Sequence, residues 1–158
     1  VLPFGAGSFM VTFRCVPFAE LQLQELYRLL QLRQEVFVVE QNCPYLDCDD
    51  RDPAALMVMG LDPSGQMVAH TRLLPVGVSY PDYASIGRVV TAPTARNQGL
   101  GRPLMEYSIA QLYQHWGPQP IKIGAQAYLK AFYESLGFVD QNEPYLEDGI
   151  PHLKMIRP

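Results

Sequence analysis

The segment that most constrains how this chain can fold is Ile86-Gly-Arg-Val-Val-Thr91, which passes through Ala-Pro-Thr-Ala into Arg96-Asn-Gln-Gly99-Leu-Gly101-Arg102. Its β-branched residues predict a strand that Pro93 ends. From Gly101 to about Trp116, Leu104, Met105, Ile109 and Leu112 recur at helical spacing. A strand that turns through two glycines into a helix leaves the first helical N–H groups facing outward. The helix dipole and those unpaired donors attract an anion. Arg96 and Arg102 add positive charge, and Pro103 sits in the first turn, where its missing donor costs nothing. A Walker loop would need Gly-Lys-Ser/Thr, and a dinucleotide fingerprint would need glycine where Leu104 stands. The plain alternative is a strand–helix turn in which Gly99 and Gly101 supply only backbone freedom.

Around this segment the pattern predicts a mixed α/β order, β-α-β-β-β-α-β-α-β-β. Phe9 to Cys15 reads as a strand and Ala19 to about Phe37 as an amphipathic helix. Glu40 to Pro53 reads as a long polar loop. Leu56–Leu61 and Met67–Leu74 form a hairpin across Asp62-Pro-Ser-Gly65. Tyr83 to Thr91 and Ile121 to Ala125 are strands, Tyr128 to Leu136 is a helix closed by Gly137, and Phe138–Val139 and Leu153–Ile156 are terminal strands. No repeat or flexible linker divides the chain, so 158 residues are expected to make one domain, 1–158. The stretch 1–8 is set apart as an addition ahead of a native start at Met10.

Composition narrows the partners. The chain is 48% hydrophobic and carries 12 Lys+Arg against 16 Asp+Glu, a net charge of −4. It has neither the basic face that nucleic acid demands nor the polybasic stretch that anionic membranes attract. No apolar run reaches a bilayer span of ~20 residues, and the start lacks the layout of a signal peptide. Three cysteines without a CxxC pair suggest a reduced, cytoplasmic setting. Any symmetric assembly is expected to be a homodimer, the commonest kind.

The Arg96–Gly101 turn resembles the pyrophosphate motif Q/R-x-x-G-x-G/A of the GNAT N-acetyltransferase superfamily, and Ala131-Phe-Tyr133-Glu-Ser-Leu-Gly137-Phe138 resembles its late helix. Arg33-Gln-Glu-Val-Phe-Val-Val-Glu-Gln-Asn-Cys-Pro-Tyr45 and Glu147-Asp-Gly-Ile-Pro-His152 are similar to the ElaA-like branch. These motifs cover most of the chain from about Leu32 to Met155. The resemblance implies a mostly antiparallel sheet flanked by helices, with a V-shaped splay between two central parallel strands. It implies acetyl-CoA as cosubstrate, no metal, and transfer of acetyl to a primary amine by direct attack in a ternary complex. Backbone groups of Val89, Val90 and Thr91 would pair with the pantetheine arm. Arg96, Asn97, Gln98, Gly99, Leu100, Gly101 and Arg102 would hold the pyrophosphate. Gln126 stands where the family often has a cofactor-binding Asn, and its amide can still donate.

By the same resemblance Tyr133 is the acid that protonates the CoA thiolate, a tyrosine having pKa ~10 in model peptides. Candidate bases, direct or through water, are Glu40, His70 and His152. Tyr45, Asp49 and His70 are assigned to the acceptor site, with His152 as a further wall residue. The acceptor could be a polyamine-like metabolite, an antibiotic or a peptide amine, and a longer acyl donor is compatible. A non-catalytic acyl-CoA-binding or sensing module is the rival reading.

Other features have bland readings beside sharper ones. Asp47 to Asp52 fails as an EF-hand because Gly and Glu are absent at Asp52 and Val58. Cys43 and Cys48 lack zinc-ligand spacing. The acidic loop is either a solvated face or a lure for a cationic amine. Tyr133 could simply brace its helix, Arg88 and Lys130 could help with phosphates or form surface or strand-edge salt bridges, and His115 could partner a helix C-terminus. Cys43 as an acyl-carrying nucleophile would need activation by His70 or His152.

Overall fold

Two consecutive strands, β3 (Leu56–Leu61) and β4 (Met67–Leu74), are buried almost throughout, as strands covered on both faces are; β3 is a continuous apolar run, and β4 buries His70, Thr71 and Arg72 among apolar residues. They form a hairpin closed by Asp62, whose side chain accepts from the backbone N–H of Ser64 and Gln66 at 2.9 Å each. β2 (Val11–Pro17) instead alternates, placing Val11, Phe13 and Val16 inward. With β1 (Pro3–Phe4) and β5 (Ser85–Thr91) these make an antiparallel sheet of order β1-β2-β3-β4-β5. This computed structural model describes Pro3, Phe4 and residues 10–158. Of the stretch set apart by sequence, Pro3 and Phe4 pair with Thr12 and Val11; the rest of it, with Phe9, lies outside the described residues.

Helices cover both faces of that sheet. On one face Thr71 meets Ser108 of α2 (Gly101–Trp116) at 2.6 Å, and Phe13 stacks on Tyr107 with centroids 5.1 Å apart. Ser108 gives its proton to the Leu104 carbonyl, so Thr71 is the donor in the pair. On the opposite face His70 and Arg72 point toward α1 (Leu23–Arg33), because neighbouring residues of a strand alternate. α1 continues as a π-helical segment over Gln34–Glu40, in which Gln41 N–H bonds Val36 O and Cys43 N–H bonds Val38 O. The expected α-helix to Phe37 thus widens after Arg33 into a segment that ends at Glu40.

A second sheet, order β6-β8-β7, is built from β6 (Ile121–Gln126), β7 (Val139–Glu147) and β8 (Ile150–Arg157). α3 (Lys130–Glu134) links β6 to β7 and ends at Gly137, whose φ of +91° suits glycine. β7 and β8 extend well beyond the short terminal strands expected, meeting across Asp148-Gly149 with φ of +52° and +77°. An Asp-Gly pair is the signature of a two-residue hairpin turn, so this signal was present in the sequence. The two sheets touch where β5 and β6 run parallel. Ala84 bridges Ile121, and Lys122 N–H bonds Ala84 O at 2.9 Å. Beyond that contact the strands diverge. The architecture has the expected V-shaped splay between two parallel strands.

Candidate functional site

The diverging strands open a cleft of about 780 Å³. Val89, Val90 and Thr91 line one wall, and Ile123, Gly124 and Gln126 line the other. β5 enters the cleft through a bulge: between the pairs Arg72↔Gly87 and His70↔Val90 it carries one residue more than β4. Arg88 takes up that extra length with φ of +49°, the left-handed region a non-glycine residue rarely occupies.

After Thr91 the chain makes one tight turn at Pro93–Ala95 and then enters the glycine loop. Asn97 and Gly99 both have positive φ (62° and 66°), which curls the backbone ahead of α2. No side chain caps the first turn of α2 and no acidic residue lies within it, so its N–H groups stay open to an anion. Of the loop residues, Arg96 and Gly101 line the cleft. Leu100 is buried in the core, and Arg102 turns away to Glu106 (2.9 Å) and the Ser135 hydroxyl (2.8 Å). Its guanidinium therefore braces α2 against the end of α3. Arg96 pairs with Glu40 at 2.7 Å, which puts Glu40 at the glycine-loop end of the cleft beside a cation.

Tyr133 stands in the cleft wall, almost buried, set edge-on between Phe132 and Phe138. Burial pushes its phenol up to about 12, so the hydroxyl remains a proton donor at neutral pH. Farther along, β8 sends His152 and Lys154 into the same cleft, opposite Gln126 and Gly124 of β6. His152 Nδ1 lies 2.7 Å from the Ile150 carbonyl, which can only accept; that fixes the proton on Nδ1 and leaves Nε2 as the basic atom. Glu147 stands 3.4 Å from Nε2, and the ring packs on Tyr145.

The acidic loop is not a solvated face. Arg33, fully buried, bonds Asp47 and Asp52 at 2.7 Å each. Arg72 bonds Asp52 and Asp49, and Arg88 bonds Asp49 and Asp47. Three arginines and three aspartates therefore alternate in a closed ring. Burial opposes the charge of Asp49, yet the Arg72 hydrogen bonds outweigh it and hold the carboxyl down at about 2. Because every carboxylate of the ring is matched by a guanidinium, Asp49 is not a free lure for a cationic amine, and it does not line the cleft. Tyr45 does line it, with Arg88 stacked 5.9 Å from its ring centroid.

His70 is likewise displaced from the role expected of it. It is wholly buried between sheet and helix, bonded through Nδ1 to Val58 O at 2.8 Å, and depressed to about 3 by desolvation and the positive charge of Arg33. It can touch no acceptor. Cys43 has a raised pKa through desolvation and the adjacent Asp148 and Glu147, away from thiolate chemistry. Sequence reasoning missed Tyr80, Tyr145 and Lys154. The alternation His152-x-Lys154 beside the Asp-Gly turn was the signal that could have found the last of them.

Residues 54–157 match the family model described as an acetyltransferase (GNAT) domain. Protein ElaA of Escherichia coli strain K12 is 39% identical over 94% of this chain and 97% of its own. The crystal structure of E. coli ElaA superposes with a TM-score of 0.87 at 38% identity, covering 94% of this chain and all of that one (100%). A crystallised acyl-CoA N-acyltransferase from Pseudomonas aeruginosa superposes at 0.88 with 45% identity, over 94% of this chain and 99% of that one.

Proposed function

Since the chain belongs to the GNAT acetyltransferase family, we propose that it transfers an acetyl group from acetyl-CoA to a primary amine, both held in the β5/β6 cleft at once. The observation that carries this reading is the uncapped N-terminus of α2, which opens beside two splayed parallel strands with Tyr133 in the wall between them. The residues present suit acetyl-CoA. The β5 edge at Val89–Thr91 offers a strand for the pantetheine amides, and the curled Asn97–Gly101 backbone offers N–H donors for the pyrophosphate. Arg96 adds a cation once a phosphate competes with Glu40 for it.

When bound, acetyl-CoA supplies the activated thioester. The protein's own groups then handle two protons. His152 Nε2, with Nδ1 anchored to Ile150, accepts the amine proton directly or through a water, and Glu147 stabilises the imidazolium that results. Tyr133 holds the proton that the departing sulfur takes up. Glu40, tied to Arg96 at the other end of the cleft, is better placed to organise the phosphate loop than to serve as base.

Titration calorimetry with acetyl-CoA, with NADH and ATP as controls, tests the donor assignment, and thiol release over a panel of amines tests the reaction. Selective acetyl-CoA binding with amine-dependent thiol release is the expected result. Absence of binding by the folded protein would end the proposal.

A further inference from the structure

The acceptor half of the cleft contains a cation seated between tyrosine rings. Lys154 Nζ points into it, bonded to the Tyr80 hydroxyl at 3.1 Å and seated over the Tyr145 ring at 4.2 Å and the Tyr80 ring at 5.0 Å. Burial works against its charge, but the bonds to Tyr80 and Tyr145 outweigh that and keep the ammonium protonated. Among the described residues, no carboxylate forms a salt bridge with it or with Arg51, the cleft's other unmatched cation, which bonds Ser79. Of the carboxylates that line the cleft, Glu40 pairs with Arg96, Glu147 stands beside His152 on the amine side, and Asp148 accepts from the Cys43 thiol. Lys122, behind Tyr80, adds further positive potential through its contacts with the Tyr80 and Tyr83 rings.

Resting on the acetyltransferase reading, we propose that the acceptor is an amine that also carries a carboxylate, an amino-acid-like zwitterion, with Lys154 binding the carboxylate and His152 facing the amine. The two side chains leave β8 on one face two residues apart, about 7 Å along the strand. A small molecule with charges of opposite sign at its two ends spans such a pair, and a plain polyamine would meet Lys154 with like charge. Tyr80 and Tyr145 hold Lys154 in place, so little side-chain entropy is lost when the carboxylate docks.

The test compares acceptors that differ only at that end. Thiol release from acetyl-CoA is measured with ω-amino acids of three to six carbons, with their carboxamides, and with the matching alkylamines. For the best chain length kcat/KM should favour the carboxylate over the carboxamide by about tenfold or more, the size of one charge-assisted hydrogen bond. In Lys154→Met, which keeps the stem and drops the charge, that ratio should fall toward one, and Lys154→Arg should restore part of it. Acetyl-CoA binding reports that each variant is folded. Equal or faster turnover of carboxamides and alkylamines overturns this inference and leaves the acetyltransferase standing, as does a ratio that survives Lys154→Met. No thiol release with any amine overturns the acetyltransferase reading, and this inference with it.

Discussion

Tyr133 and Gly124 divide the cleft's work between them. Tyr133 lies among aromatic rings that exclude water from one side of its phenol. Tyr133→Phe keeps that packing and removes only the proton, so turnover should fall by roughly a hundredfold or more while acetyl-CoA affinity stays within about twofold. Single-turnover thiol release paired with calorimetry measures both; an unchanged rate would leave Tyr133 as a brace for its helix. With a pKa of about 12, Tyr133 should produce no falling limb in the rate below pH ~11. Gly124 lines the cleft on β6, and a Cβ there would collide with the Tyr145 hydroxyl. Gly124→Ala should therefore displace Tyr145 and the Lys154 it seats. The expected result is a KM for the amine raised by roughly tenfold with acetyl-CoA binding unaffected, read from initial rates at saturating acetyl-CoA.

Among the elements, the acidic loop departs most from its sequence pattern. Asp47, Asp49 and Asp52 look like a solvated run because a run of aspartates has no visible partner nearby in sequence. Their partners come from α1, β4 and β5, 14 to 41 residues away. The ring ties the loop to the bulge at Arg88 and so holds the mouth of the cleft. Breaking such a ring by removing one member leaves a buried guanidinium uncompensated, which typically costs about 3–5 kcal/mol. Asp52→Asn, which unbalances Arg33 and Arg72 together, should show a loss of that order in urea unfolding; a loss of less than about 1 kcal/mol would mean the ring is as weak as exposed pairs are. The hairpin β3–β4, the strand β5 and the helix α2 were legible beforehand because each is an apolar, β-branched or helically periodic run bounded by Pro, Gly or Asp. β7 hid behind the polar run Gln141-Asn142-Glu143, where its pairing with β8 is interrupted between Asp140 and Pro144.

For the whole molecule, His70 makes stability fall in acid. Its folded pKa of about 3 lies below the ~6.5 of an unfolded histidine, so below pH 6.5 the unfolded chain binds the proton and the native state does not. Stability therefore falls as pH drops from about 6.5 toward 3, by up to ~1.4 kcal/mol per pH unit from this one group. Asp49, held at about 2, adds a second loss between pH ~4 and 2 in the same direction. Urea unfolding at several pH values should show the first slope, and His70→Leu should flatten it whatever the substitution costs at neutral pH. A slope that persists in the variant would assign the acid sensitivity elsewhere.

The sequence by itself determined the elements and the anion cradle, because strand and helix periodicity, turn residues and the open N–H groups of a helix start are local properties. It also carried the family, since Arg96–Gly101 and Ala131–Phe138 are contiguous motifs. The tertiary structure alone decided which charges remain free. Whether a carboxylate or an ammonium faces a substrate depends on what the other strands and helices bring beside it. That pairing buried His70 and matched Asp49 with arginines, and it left Lys154 facing the cleft.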